Sequence, residues 1–391
     1  MRWRLLVSVL AVVAGLVIAP AAAGASVPQG FVGMMADGPF FYPYMNEGAE
    51  LDTMIANGVQ SVRTLVNWSS MQPYASEAGV PVALRGEFTN VNGVPTNFAA
   101  LDQLVALAAA RRLALLPVVE YAPGWDSLNP RSAAAPPRSP RPFASFIAAL
   151  ARRYGTHGSF WAANPGLPRV PIRMWQIWNE PDFAAYWSRQ PFEPGYVRLL
   201  RATRPALRAA DRAAKLVLAG LPNFSWQYIA NMYKLHARGL FDAVAVHPYT
   251  ATPQGVITIL GKVRAVMNRN GDRRKPILAT ELSWPSAKGK APTTFENATT
   301  ESGEATKLGQ AIRLLAANRR RLGIGAFYYY TWITNETMPG ARHDQFNFAG
   351  LLKFFDGQGT FVKPALASFS KAALAIEGCR SKGPLATNCT R

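Results

Sequence analysis

The stretch MWQIWNEPDF, residues 174–183, sets Met174, Trp175, Ile177 and Trp178 around a single glutamine and then stops on an amide, a carboxyl and a proline. A short, bulky apolar run of this kind reads as a buried strand. Pro181 has no backbone N–H to give a ladder, so the strand ends where a loop must begin. The reading predicts a strand over 172–179 with Asn179 and Glu180 at its C-terminal tip. A core strand with a polar tip is the signature of a sheet whose strand ends face a cleft.

Working outward, seven more runs of the same character recur at 30–36, 59–66, 113–120, 215–221, 242–249, 276–284 and 325–333. Between them lie segments with apolar residues at three- and four-residue spacing, such as FAALDQLVALAAARR, FASFIAALARRYG and KLGQAIRLLAANRRR, which are amphipathic helices. Eight strands alternating with helices predict an α/β fold, a (β/α)8 TIM barrel, in one domain. The rival, an open doubly wound sheet, carries a Gly-rich dinucleotide fingerprint after its first strand, and none is present here. The proline-rich 131–142 and the polar 286–306 follow the third and seventh strands and fall on the C-terminal rim.

The ends of the chain set its context. Arg2 and Arg4 precede an apolar block that runs to Ala23-Gly24-Ala25, the pattern of a secretory signal peptide over 1–25. Left uncleaved, that block is nearly long enough to span a bilayer, and an anchor is the alternative. The expectation is a secreted protein, extracellular or cell-wall associated, with a domain over 26–378 and a tail over 379–391. The only cysteines, Cys379 and Cys389, lie in that tail, where an oxidising compartment lets them close a small loop. They are far from any histidine, so neither a metal site nor any cofactor is expected. The formal net charge is +19, or +17 without the leader's two arginines. The basic residues are scattered over helical segments with no nucleic-acid motif to organise them, so an arginine-rich solvated surface is expected, with attraction to an anionic cell wall or acidic polymer as the alternative. No second membrane segment appears, and the chain is expected to be monomeric.

If the strands are right, Glu180 ends the fourth and Glu281, in ATELSW, lies near the end of the seventh. A barrel brings both to one rim. WNEP at strand four followed by ATELSW at strand seven resembles the paired-glutamate signature of the clan A retaining glycoside hydrolases, including the family 5 cellulases and the family 39 xylosidases and exopolysaccharide hydrolases. The resemblance implies a β-linked carbohydrate substrate, with Glu180 as general acid/base and Glu281 as nucleophile. It further implies that Arg63 holds the nucleophile charged, that Asn179 binds the sugar 2-hydroxyl, that His247 contacts substrate, that Tyr249 donates to Glu281, and that Trp332 floors the first sugar subsite.

Each residue also has a plainer reading: an ion pair for Arg63, an Asx turn for Asn179, a satisfied structural group for His247. Trp68, Trp125, Trp178 and Trp284 also lie near strand ends, and for any one tryptophan rim packing is an adequate account. Glu120 and Asp182 are alternative partners for Glu180 in an inverting arrangement with a wider gap. A serine hydrolase lacks its G-x-S-x-G elbow and a metalloprotease its H-E-x-x-H. GVITILGKV has the wrong glycine spacing for a phosphate loop. A non-catalytic glycan-binding barrel and a transglycosylase remain as rivals.

Overall fold

The computed structural model describes residues 26–293 and 295–391; the predicted leader, 1–25, lies outside the described residues. Eight parallel strands form the barrel: β1 (Val32–Ala36), β2 (Ser61–Asn67), β3 (Ala114–Glu120), β4 (Met174–Ile177), β5 (Lys215–Val217, resuming at Leu221–Pro222), β6 (Val244–His247), β7 (Ile277–Ala279) and β8 (Ile324–Tyr329). Strand β8 pairs back with β1, Phe327 opposite Val32. The first half of β5 pairs with β4 and its second half with β6, and a bridge from Val217 to Ala243 completes the ring. A helix follows every strand: α1 (Glu47–Ala56), α2 (Ala99–Ala110), α3 (Pro140–Tyr154), α4 (Glu193–Ala210), α5 (Ser225–Lys234), α6 (Pro253–Arg269), α7 (Glu301–Leu322) and α8 (Pro364–Glu377). The predicted (β/α)8 architecture is the one observed.

Strand alternation divides the core into two. Trp175, Ile177, Leu216, Val244, Val246, Ile277, Ala279 and Phe327 point outward and pack with the helices. The opposite phase, Leu116, Val217, Ala243, Ala245, Leu278, Ala326 and Tyr328, fills the barrel interior. Several of these interior residues are alanines, which leaves room for the large Tyr328. The close fit reaches Gly33, where an added Cβ would sit 2.3 Å from the Tyr328 ring. Replacing Gly33 would displace that ring from a space already packed to near-crystalline density.

Helix ends follow the local sequence. The α7 helix starts at Thr300, whose hydroxyl accepts from the Gly303 N–H at 3.1 Å, carries Glu301 and Glu304 in its first turn, and has Arg319, Arg320 and Arg321 in its last. That charge order complements the helix dipole.

The strands are shorter at their C-terminal ends than predicted. The β4 ladder stops at Ile177, β7 at Ala279 and β8 at Tyr329, because the residues beyond leave the sheet to line a cleft. Two features were not anticipated. A small hairpin, Thr89–Val91 with Val94–Thr96, sits in the loop after β2. A three-stranded sheet of Ile333–Asn335, Leu352–Phe355 and Gly359–Val362 separates β8 from α8. Cys379 and Cys389 are disulfide-bonded. The tail they close is docked at the N-terminal end of the barrel, where Ala386 exchanges hydrogen bonds with Arg111 and Gln29. Among the described residues, no helix is long and apolar enough to cross a membrane.

Candidate active site

A cleft of about 550 Å³ opens at the C-terminal ends of the strands, and each of the eight strands or the loop after it contributes to its wall. Strand β4 enters the cleft by a break in the pleat. Trp178 has φ +69° and Glu180 φ +39°, both in the left-handed region that non-glycine residues rarely occupy. The first of these turns throws the Trp178 indole into the outer core, where its N–H is held by the Tyr186 carbonyl at 2.8 Å. The chain that follows presents Asn179 and Glu180 to the cleft. Backbone strain of this kind persists only where the surroundings enforce it, and it concentrates at functional sites.

Arg63 is the hub. It lies in the middle of β2 rather than at its end, and its stem runs up the barrel interior. Its Nε donates to Gln176 at 3.0 Å, Nη1 to Glu281 at 2.6 Å, and Nη2 to Asn179 Oδ1 at 2.6 Å. The guanidinium is 1% exposed. With its carbonyl oxygen taken by Arg63, Asn179 has its NH2 group left to offer a ligand. Tyr249 donates to the other oxygen of Glu281 at 2.7 Å.

His247 corrects the expectation for it. It is fully buried, and its Nδ1 lies 2.7 Å from Glu180 and 3.5 Å from Glu281, so it bridges the two carboxyls and does not reach a substrate. Its Nε2 is buried without a partner. That nitrogen faces Gly220, where a Cβ would lie 1.9 Å away. An orphaned N–H there would cost more than an orphaned lone pair, so the proton is assigned to Nδ1, between the carboxyls.

Glu180, His247 and Glu281 each present an atom within 4.8 Å of the others. Such a trio has the composition of a cation site. Here the imidazole already fills the gap with a hydrogen bond, and Arg63 places a positive charge on Glu281. The arrangement is therefore a hydrogen-bonded pair of acids in unlike settings. Burial raises the Glu180 carboxyl above the ordinary glutamate range, and the opposing His247 contact does not cancel it. Burial pushes Glu281 the same way, but His247, Arg63 and the Tyr249 hydrogen bond outweigh it and hold that carboxyl low.

Trp332 is not in the cleft. It is fully buried, and its ring N–H donates to Glu50 at 2.6 Å. Trp68, Trp178 and Trp284 are buried as well, and Trp125 is absent from the wall. The aromatic surface comes instead from Tyr330, Phe346, Tyr121, Phe183 and Tyr186. Asp182, one alternative partner acid, stands outside the cleft wall, and burial lifts it to about 7. Glu120, the other, is in the wall and is raised by burial to about 8. Asp37 is a wall residue that sequence reasoning missed. Burial lifts it to about 6 against the Thr331 hydroxyl, which donates to it at 2.5 Å. Gln176, which orients Arg63, was missed too, hidden inside an apolar strand.

No protein-family model and no curated protein sequence matches the chain. Solved structures do. A family 39 glycoside hydrolase from Bacteroides cellulosilyticus WH2 superposes with a TM-score of 0.62 at 16% identity, covering 89% of this chain and 64% of its own. A monomeric β-xylosidase from Caulobacter crescentus CB15 gives 0.59 at 15% identity, covering 89% and 69%. A family 51 arabinofuranosidase from Xanthomonas axonopodis pv. citri gives 0.55 at 12% identity, covering 90% and 74%. The chain thus spans about two thirds of the length of the first two. At these identities the likeness establishes the barrel fold.

Proposed function

We propose that the protein is a retaining β-glycosidase in which Glu281 is the nucleophile and Glu180 the general acid/base. The observation that carries this reading is the pair of carboxyls with atoms within 4.8 Å of each other, the proton affinity of Glu180 raised by burial and that of Glu281 lowered by its positive and hydrogen-bonding neighbours. Retaining enzymes place their carboxyls about 5 to 5.5 Å apart, whereas inverting enzymes leave roughly 6.5 to 9.5 Å for a water. The fold neighbours named above support the same reading.

In the first step a Glu281 oxygen bonds to the anomeric carbon, the bond to the leaving oxygen breaks, and the Glu180 proton passes to that oxygen. In the second, Glu180 takes a proton from water, the water oxygen bonds to the anomeric carbon, and the ester to Glu281 breaks. Esterification removes the Glu281 charge, so the proton affinity of Glu180 falls when it must act as a base. Asn179 supplies N–H donors beside the reacting carbon, Tyr330 and Phe346 supply the aromatic surface, and His247 positions both acids. The leader over 1–25 and the tail disulfide support export to an extracellular or cell-wall location. The substrate is a β-linked poly- or oligosaccharide, and no cofactor is required.

Arg63→Lys is expected to lower kcat/KM by roughly 100-fold, because an ammonium cannot reproduce the three-way fork that fixes Glu281, Asn179 and Gln176. It should also move the acidic limb of the pH profile upward, since an ammonium on a differently shaped stem holds its charge less closely against Glu281 and lets that carboxyl protonate sooner. An unshifted acidic limb would detach Arg63 from the nucleophile.

The reading as a whole is tested by incubating the purified protein with a panel of β-linked polysaccharides and aryl β-glycosides, recording the first-formed anomer by NMR. A β-anomer released first is expected. An α-anomer released first would sink double displacement.

A further inference from the structure

The cleft runs against the charge of the molecule around it. A chain with a net charge of +19 lines its cleft with Asp37, Glu120, Glu180, Glu281 and Asp344 against one guanidinium, Arg63. That guanidinium is 1% exposed and spends four of its five N–H donors on Gln176, Met35, Glu281 and Asn179, so it is already committed inside the protein. Most of the inner carboxyls have partners of their own: Glu281 has Arg63 and Tyr249, Glu180 has His247, and Asp37 has Thr331.

Glu120 differs. It ends β3 in the inward phase of Leu116 and faces the cleft, and only 4% of it is exposed. The Asn179 backbone N–H reaches its carboxyl, yet its Oε2 is buried with no hydrogen-bond partner. A buried polar oxygen is costly to leave unmatched, and an unmatched one in a binding wall awaits the group that completes it.

Resting on the glycosidase reading, we infer that Glu120 is a specificity-determining residue whose free oxygen exchanges a hydrogen bond with one hydroxyl of the sugar between Glu180 and Glu281, and that this sugar is neutral, uronic acids being excluded. The environment of Glu120 agrees with that role: burial keeps its carboxyl protonated up to about 8, so it offers both a donor and an acceptor without adding charge. A uronate would bring one more carboxylate into a wall of five carboxyls whose only basic side chains are the engaged Arg63 and the rim imidazole of His343.

The test uses para-nitrophenyl β-glycosides of xylose, glucose, galactose and glucuronic acid, together with the monodeoxy derivatives of the fastest neutral sugar. The glucuronide is expected to show kcat/KM lower than the glucoside by roughly 100-fold. Glu120→Leu should cut kcat/KM for the parent by roughly 100-fold, while one monodeoxy substrate, slow with the native protein, is cleaved equally by both. Glu120→Gln, which keeps a donor and an acceptor, should stay within about tenfold of native. An equal loss on every deoxy substrate overturns the inference, because Glu120 would then act on the chemistry and not on one hydroxyl. A glucuronide cleaved as fast as the glucoside overturns it too. If the leucine variant does not fold, Glu120→Ala takes its place in the series. If the native protein cleaves no glycoside, the proposed function itself fails. Glu120 is then judged by calorimetric binding of 1-deoxynojirimycin to native and Glu120→Leu protein, equal affinities refuting its role.

Discussion

Glu281→Gly is expected to hydrolyse β-glycosides at least roughly 10⁴-fold more slowly than the native protein while remaining folded, and added azide should restore turnover. The reasoning is geometric. Glu281 is held by Arg63 on one oxygen and by Tyr249 on the other, so its orientation is fixed before substrate arrives. Removing it leaves a gap at the face of the anomeric carbon that a small anion can enter, beside a guanidinium that still wants a negative partner. Azide attacking from that gap gives a glycosyl azide of inverted, α configuration. The product therefore reports which face Glu281 occupied, and the rate alone does not. Because Arg63 keeps Gln176 and Asn179, the fold should survive the loss, and a near-native melting temperature is the control. Residual hydrolysis above about 1% without azide would exclude Glu281 as the nucleophile, since removing a group that forms the covalent bond leaves only binding and electrostatic assistance.

How far this site was legible depends on the phase of each strand. Inward-facing positions recur at every second residue, so a polar residue at a strand's upper end, in phase with interior apolar ones, should face the cleft. Glu120 follows Leu116 and Val118 in that phase, Asp37 follows Gly33 and Met35, and Tyr330 follows Tyr328. All three line the cleft. Asp37 and Tyr330 were thus within reach of an alternation argument that was not applied to them. Alternation would have misplaced one of the two central acids, Glu281. By phase Trp178 and Glu180 both belong inside with Gln176, and Glu180 does face the cleft, but the left-handed turn at Trp178 buries its indole in the outer core. Glu281 shares the outward phase of Ile277 and Ala279 and reaches the cleft because the chain leaves the ladder beyond Ala279. These two were found through the motifs around them. Trp332 shows the opposite failure. It matched a motif position, but the chain beyond Tyr330 turns it under α1 to Glu50, and Tyr330 takes the place in the wall. The sheet between β8 and α8 was also readable, since Asp356-Gly357 between LKFF and GTFV is a hairpin signal.

Glu180→Ala should separate the two steps of the reaction by their need for a proton. With a poor leaving group, such as an alkyl or sugar alcohol, kcat/KM should fall by roughly 10³-fold, because nothing remains to protonate the departing oxygen. With a dinitrophenyl leaving group, which departs as a stable anion, kcat/KM should change little. The second step has lost its base in either case, so kcat falls, the glycosyl ester on Glu281 accumulates, and a burst of phenolate precedes a slow steady state. The pH dependence supplies a separate check. Native activity requires Glu180 protonated and Glu281 ionised. Burial raises the first above the ordinary glutamate value of about 4.3, and positive surroundings lower the second beneath it. Native kcat/KM should therefore fall as pH drops through the Glu281 value and fall again as pH rises through the Glu180 value. The variant, assayed on the activated substrate, should keep the acidic limb and lose the basic one. Azide should rescue its second step from the opposite face to that in Glu281→Gly, giving the β-glycosyl azide. Equal losses on both leaving groups, with the basic limb intact, would show that Glu180 does not carry the proton. In that case the acid would have to be sought in Glu120, the other carboxyl that burial keeps protonated in the same wall.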